Sequence, residues 1–146
     1  MIDAAIRSWL LTQYQVTNLV GATGVFVDDV PQNTTPASPN FIVVSVISKD
    51  ENITLDGGNV PSGGLFTAEI DIDCKGRTRA AASALGDAIT PLFRNFSGSL
   101  GGGLETVNAV ESIGDANAKD PDPLYAGDQS FFRRTLSYQV YYRPLA

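Results

Sequence analysis

Between Leu65 and Phe93 the hydrophobic period changes from strand-like to helical. Phe66, Ala68, Ile70, Ile72 and Cys74 alternate with Thr67, Glu69, Asp71 and Asp73. A period of two puts the first set on a buried face and the second on a wet one, which predicts a half-buried strand. Lys75-Gly76 ends that run, and Thr78 is placed to cap a helix. Beyond it Ala81, Leu85, Ala88, Ile89 and Leu92 recur at spacings of three and four, the helical period. Ala80, Ala81, Ala82, Ser83, Ala84 and Gly86 are small enough to bring this helix close to a sheet. Pro91 has no amide hydrogen, so the helix should kink or end near it.

The flanks give further elements. Ile2, Ile6, Trp9, Leu10 and Gln13 mark one side of an N-terminal helix, with Trp9 as its core anchor. The turn residues of Asn18 to Gly24 should end it, and Val25-Phe26-Val27 reads as a short strand. Pro31, Pro36 and Pro39 exclude regular structure over Val30 to Asn40. The β-branched run Phe41 to Ser48 predicts a central strand covered on both faces. Lys49 to Gly64 is rich in Gly, Asp and Asn and predicts a long, mobile hairpin arm. Ile53, Leu55 and Val60 lie on that arm, where a solvated loop has little use for them, and so point to a partner surface. Gly98 to Gly103 reads as a flexible link, Leu104 to Ile113 as a strand and Gly114 to Gln129 as a second long polar loop. Phe131 to Arg143 is the last strand, with Phe132, Leu136, Tyr138, Val140 and Tyr142 mostly on one face. The predicted order is α-β-β-β-α-β-β over one domain, residues 1–146. Hairpin-length and helical connections favour an α+β fold, a mostly antiparallel sheet with two helices packed on one face.

Charge narrows the range of partners. The net charge is −6 and the pI about 4.4, whereas tight phosphate binding needs clustered Lys and Arg. Only Arg133-Arg134 are adjacent, and neighbours on a strand point to opposite faces. The chain has no histidine, which removes Ser-His-Asp and Cys-His catalysis and the usual zinc sites. Cys74, the single cysteine, falls in the buried phase of its strand and is expected to be inert. Glu69, Asp71 and Asp73 share one strand face. Paired carboxylates can drive glycoside hydrolysis, but a solvated or interface-facing strand accounts for them more simply. With Arg77 and Arg79 close in sequence, they form a candidate head-to-tail subunit contact. Asp71-x-Asp73-x-Lys75-Gly76 is not a calcium loop, because Lys75 occupies a ligand position and Ala82 replaces the closing Glu. Asp115-x-Asn117-x-Lys119 fails in the same way, with Ala126 last, and Gly101-Gly102-Gly103 lacks the Lys-Ser/Thr of a phosphate loop. No catalytic set, cofactor or metal site is expected. No apolar run reaches the roughly 20 residues that span a bilayer. The N-terminus has no signal-peptide pattern, so cytoplasmic synthesis is expected and the sequons at Asn33, Asn52 and Asn95 read as chance.

The ordered pattern resembles one family, the tail terminators or tail-completion (tail-to-head joining) proteins of long-tailed phages. The residues that carry it are the N-terminal helix, Gly24-Val25-Phe26-Val27-Asp28-Asp29-Val30-Pro31-Gln32 and Pro39-Asn40-Phe41-Ile42-Val43-Val44. The polar arm, the strand Phe66–Cys74, the Arg/Ala-rich helix and the closing Tyr142-Arg143-Pro144 follow in the same order. Each motif is short; the specificity lies in their succession over nearly the whole chain. The resemblance implies a non-enzymatic subunit of a ring, commonly a hexamer. Such a ring caps the head-proximal end of the tail tube, stops tube polymerisation and joins the head connector, and DNA passes its lumen without specific binding. It implies assembly in the host cytoplasm, residence in the virion and no membrane partner. The alternatives are a head-closure or stopper protein of the connector, a carboxylate-dependent hydrolase and a monomeric binding module. The loop Gly114–Gln129 has no counterpart in the pattern.

Overall fold

One face of the long strands is apolar, and every helix packs on it. The computed structural model describes residues 2–28, 40–52, 65–101, 105–121 and 130–143. The elements are α1 (Ile2–Leu10), α2 (Tyr14–Val20), β1 (Val25–Val27), β2 (Phe41–Asn52), β3 (Leu65–Gly76), α3 (Arg79–Phe93), β4 (Gly98–Ser99), β5 (Thr106–Pro121) and β6 (Ser130–Arg143). The strands make one sheet in the order β1-β2-β3-β6-β5-β4. β1 runs parallel to β2 and the other pairings are antiparallel. The fold is α+β.

The core follows from the alternation. Ile42 and Val44 of β2, Ala68, Ile70, Ile72 and Cys74 of β3, and Leu136, Tyr138, Val140 and Tyr142 of β6 are all buried. They form one cluster with Ile2, Ile6, Trp9 and Leu10 of α1, Val16 and Val20 of α2, and Leu85, Ile89 and Phe93 of α3. Trp9 meets Phe93 edge-on at 5.2 Å and Phe96 at 4.6 Å, which ties α1 to the end of α3. The Thr78 hydroxyl accepts the Ala81 amide at 3.1 Å, the cap expected from sequence. α3 runs to Phe93, two residues past Pro91. Cys74 is buried, and desolvation pushes its thiol up to about 12, far from nucleophilic. β2 is covered on both faces at its start, because Phe41 and Val43 are buried opposite the helices beside Phe26.

Several expectations are corrected. The N-terminal helix is two helices, so the face carries three rather than two. The Thr12 hydroxyl donates to the Trp9 carbonyl at 2.6 Å, and the Thr12 and Gln13 amides donate to the carbonyls three residues back, closing α1. The pair Val16 and Val20, four apart, then seats a new helix through Asn18. α2 ends at Gly21, whose φ of +77° suits glycine alone. The order is therefore α-α-β-β-β-α-β-β-β, with the two-residue β4 inside the expected link. β2 continues through Lys49 to Asn52, so part of the expected arm is strand. β5 continues through Gly114 to Pro121, where a loop was expected. Its Gly, Asp and Asn residues disfavour strand, but a full ladder to β6 overrides that preference. The stretch expected to lack regular structure falls outside the described residues up to Pro39, as do residues 53–64, 102–104 and 122–129.

The register sets the ends of the sheet. Phe66 pairs with Tyr142 and Thr106 with Arg143, so the Asn52/Leu65 strand ends lie at one end. Gly76 pairs with Phe132 and Pro121 with Ser130, so the strand ends that lead into 122–129 lie at the other. Two bulges flank the Ile70–Tyr138 rung. Ile47 is the extra residue between Val46 and Ser48 of β2, and Ile113 the extra residue between Ser112 and Gly114 of β5. Paired irregularities of this kind bend both outer strands at one level.

Candidate functional site

The sheet face away from the helices carries the predicted polar residues. Glu69, Asp71 and Asp73 are half-buried there, while Thr67 is buried rather than exposed. Asp71 accepts a hydrogen bond from the Ser137 hydroxyl and Asp73 from the Thr135 hydroxyl, each at 2.7 Å across the β3–β6 ladder. Lys75 pairs in register with Arg133, and its ammonium sits 5.8 Å from the Phe41 ring centroid. Arg77 and Arg79 follow beyond Gly76, and the Arg79 guanidinium, at the start of α3, lies 5.6 Å from the ring centroid of Phe132 on the helix side of the sheet. The polar face grades from acidic at mid-strand to basic at Lys75 and Arg133. The structure brings Glu69, Asp71 and Asp73 together and sets Arg77 and Arg79 beyond them along the chain. Ile53, Leu55 and Val60 lie outside the described residues.

A cleft of about 360 Å³ opens on the helix face, where α3 leaves β5 uncovered; Phe93, Val110 and Leu136 line it with Arg94, Asp115 and Tyr138. Glu69, Asp71 and Asp73 are on the opposite face of the sheet from this cleft, and hydroxyls hold two of them. Among the described residues no cluster of three or more metal-ligating side chains occurs, and no helix is long and apolar enough to cross a membrane.

A clamp beside the cleft was not foreseen. Arg134 falls in the apolar phase of β6, between Phe132 and Leu136. Its Nε and Nη2 donate to the two carboxylate oxygens of Asp115 at 3.0 and 2.8 Å. Its Nη1 donates to Asp87 and to the Ser83 carbonyl, each at 2.9 Å. Gly86 makes room: a Cβ there would lie 2.6 Å from Nη1. The clamp therefore fastens α3 to β6 and to the outer strand β5. A cation at a core-phase position opposite a helical glycine was the available signal.

Hydrogen bonding from Arg134 holds the Asp115 carboxyl below its ordinary value and, with Asp87, pushes the Arg134 guanidinium further up. Because the folded carboxyl is the stronger acid, its contribution is complete above the unfolded value of 3.8 and is lost as pH falls below it. Asp115→Asn should therefore weaken the protein at pH 6, and its deficit against wild type should shrink as urea midpoints are followed down to pH 2.5. A deficit that does not change with pH would mean that the Asp115 charge is not what matters. Arg134→Met should cost about 1.5–3 kcal/mol, the range for charge-assisted hydrogen bonds.

This layered arrangement spans nearly the whole chain, and so does a sequence match. Residues 4–143 fit the family described as tail completion protein gp17. The chain belongs to that family. Among solved structures, a chain from the "virion of native gene transfer agent (GTA) particle" is similar in fold, with a TM-score of 0.58 at 18% identity over 97% of this chain and 94% of that one. A second solved chain aligns with a TM-score of 0.47 at 14% identity over 95% and 89%. No curated protein sequence matches the chain.

Proposed function

We propose that this tail completion protein is a non-enzymatic structural subunit of a ring, a hexamer in the commonest arrangement. The ring caps the head-proximal end of the phage tail tube, stops its polymerisation and forms the surface that joins the head. Its partners are other copies of itself, the tail tube protein and the head connector or stopper. It is made in the host cytoplasm and resides in the virion. The observation that carries this reading is the placement of the two hairpin ends. The strands leading into 53–64 and those leading into 122–129 point out of opposite ends of one sheet, as a subunit wedged between two partners requires. Family membership over residues 4–143 and a fold shared with a chain of a gene transfer agent virion support it. A net charge of −6 suits a lumen that DNA crosses without specific binding.

A phage lacking this gene tests the reading. Electron micrographs should show tube-like tails of uncontrolled length beside filled, tailless heads, and the purified protein should scatter light as a ring. Tails of normal length in the mutant would favour the head-closure alternative, because a stopper acts on the head side. A monomer at high concentration would remove the ring.

A further inference from the structure

Among the described residues the sheet has two open edges, and they match. β4 covers β5 only at Thr106 and Val107, and β1 covers β2 only at Ile42 to Val44, with Asp28 donating to Val44. Among the described residues no strand lies outside β5 from Ala109 onward, or outside β2 from Val46 onward. Unpaired edges of this length are usually blunted by charge, proline or a cover. Both carry charges, Lys49, Asp50 and Glu51 on β2 and Glu111, Asp115 and Lys119 on β5, yet each also holds an isoleucine in the open: Ile47 on β2 is 55% exposed and Ile113 on β5 is 45% exposed. They are the two bulge residues that flank the Ile70–Tyr138 rung, and so lie at nearly one height on opposite sides of the sheet. Strand sense completes the match. From β2 through β3 and β6 to β5 the direction alternates, so the next antiparallel strand beside β5 is one that runs as β2 does.

We infer that β5 of one copy pairs with β2 of the next, continuing the sheet from subunit to subunit and burying Ile113 of one copy near Ile47 of its neighbour. The inference rests on the ring reading and names its interface. Two different edges meet, so the contact is heterologous, the type that generates rings. Backbone pairing along a free edge supplies affinity, and the isoleucines fix the register. The charged face of Glu69, Asp71 and Asp73 is then left free for partners other than the neighbouring subunit.

Two variants, Ile47→Lys and Ile113→Lys, test this by light scattering and thermal melting of the full chain. Each should be monomeric with a melting curve like that of dissociated wild type. Mixed in equal amounts, they should form dimers and stop, because one intact Ile113 edge finds one intact Ile47 edge. Rings that persist in either variant, or one variant with no effect, would overturn the pairing. The second outcome would fit an isologous contact between like edges. If a lysine variant misfolds, Ile47→Ser and Ile113→Ser should each raise the ring's dissociation constant by about tenfold or more. Hydrogen exchange on wild type provides a further check: outward amides of 46–50 and 110–116 should be protected in the ring and exchange quickly after dissociation. Fast exchange in an intact ring would refute the edge pairing while leaving the ring reading in place. A wild-type monomer would refute the ring reading itself.

Discussion

Ile72→Ala should lower the unfolding free energy by about 2–5 kcal/mol, the range seen when buried isoleucine is truncated. Ile72 is fully buried at the middle of β3, with Val44 on β2 and Leu136 on β6 beside it in register. It belongs to the cluster that also takes in Leu85 and Ile89 of α3. Three layers of contact converge there, and none can collapse into the gap without shifting a strand or the helix. For a domain whose total stability is about 5–15 kcal/mol, such a loss consumes a large share of the margin. Urea unfolding of the dissociated subunit is the measurement, with Ile47→Ala as the comparison. Ile47 is exposed in the single subunit, so its truncation should change stability by no more than about 0.5 kcal/mol. A cost below about 1 kcal/mol for Ile72→Ala would show that the helix layer does not depend on this position. Equal costs at the two sites would contradict the assigned faces of the sheet.

The same residues show where the sequence was legible. β3 and β6 bury one face each, so their alternation survives in the letters, and Phe66 to Cys74 reads directly. α3 shows its three-and-four spacing, its Thr78 cap and its small residues because it lies flat on that face. β5 reads short in the sequence because residues 111–117 are mostly exposed. Past Gly114 it is held by backbone pairing with β6 and by Asp115 on Arg134, neither of which leaves a hydrophobic period. α2 was missed because a seven-residue helix seated by Val16 and Val20 gives less than two turns of pattern. The Arg134 clamp is legible only when three distant segments are superposed, since Asp87, Asp115 and Arg134 lie on α3, β5 and β6. The polar face held its letters, Glu69, Asp71 and Asp73, but its cross-strand partners Thr135 and Ser137 depend on a register that sequence alone leaves open. The edge isoleucines are hidden for a related reason: a bulge adds one residue, and a simple alternation then puts that residue on the wrong face.

Replacing residues 54–63 by a short glycine-rich turn should leave the subunit folded and abolish tail capping. The fold should survive because Asn52 and Leu65 are already paired and can still be joined as a hairpin. Loop length itself has little thermodynamic weight, about 0.6 kcal/mol per doubling. Loss of function is the outcome expected if Leu55 and Val60, apolar residues in a Gly- and Asn-rich segment, are buried against a partner. If the segment engages the finished tube, a complemented null phage should carry overlong tails and fall to null infectivity. The ends of β5 and β6 that lead into 122–129 lie at the opposite end of the sheet, so shortening 123–128 should act on the other partner. Tails should then be of normal length but lack heads. Ile53→Ser, Leu55→Ser and Val60→Ser together should reproduce the first phenotype without any change in loop length. Measured tail-length distributions decide between the cases. Normal tails and infectivity after the 54–63 replacement would leave that arm a tolerated surface insertion, and identical phenotypes from the two loops would end the division of labour between the two ends of the sheet.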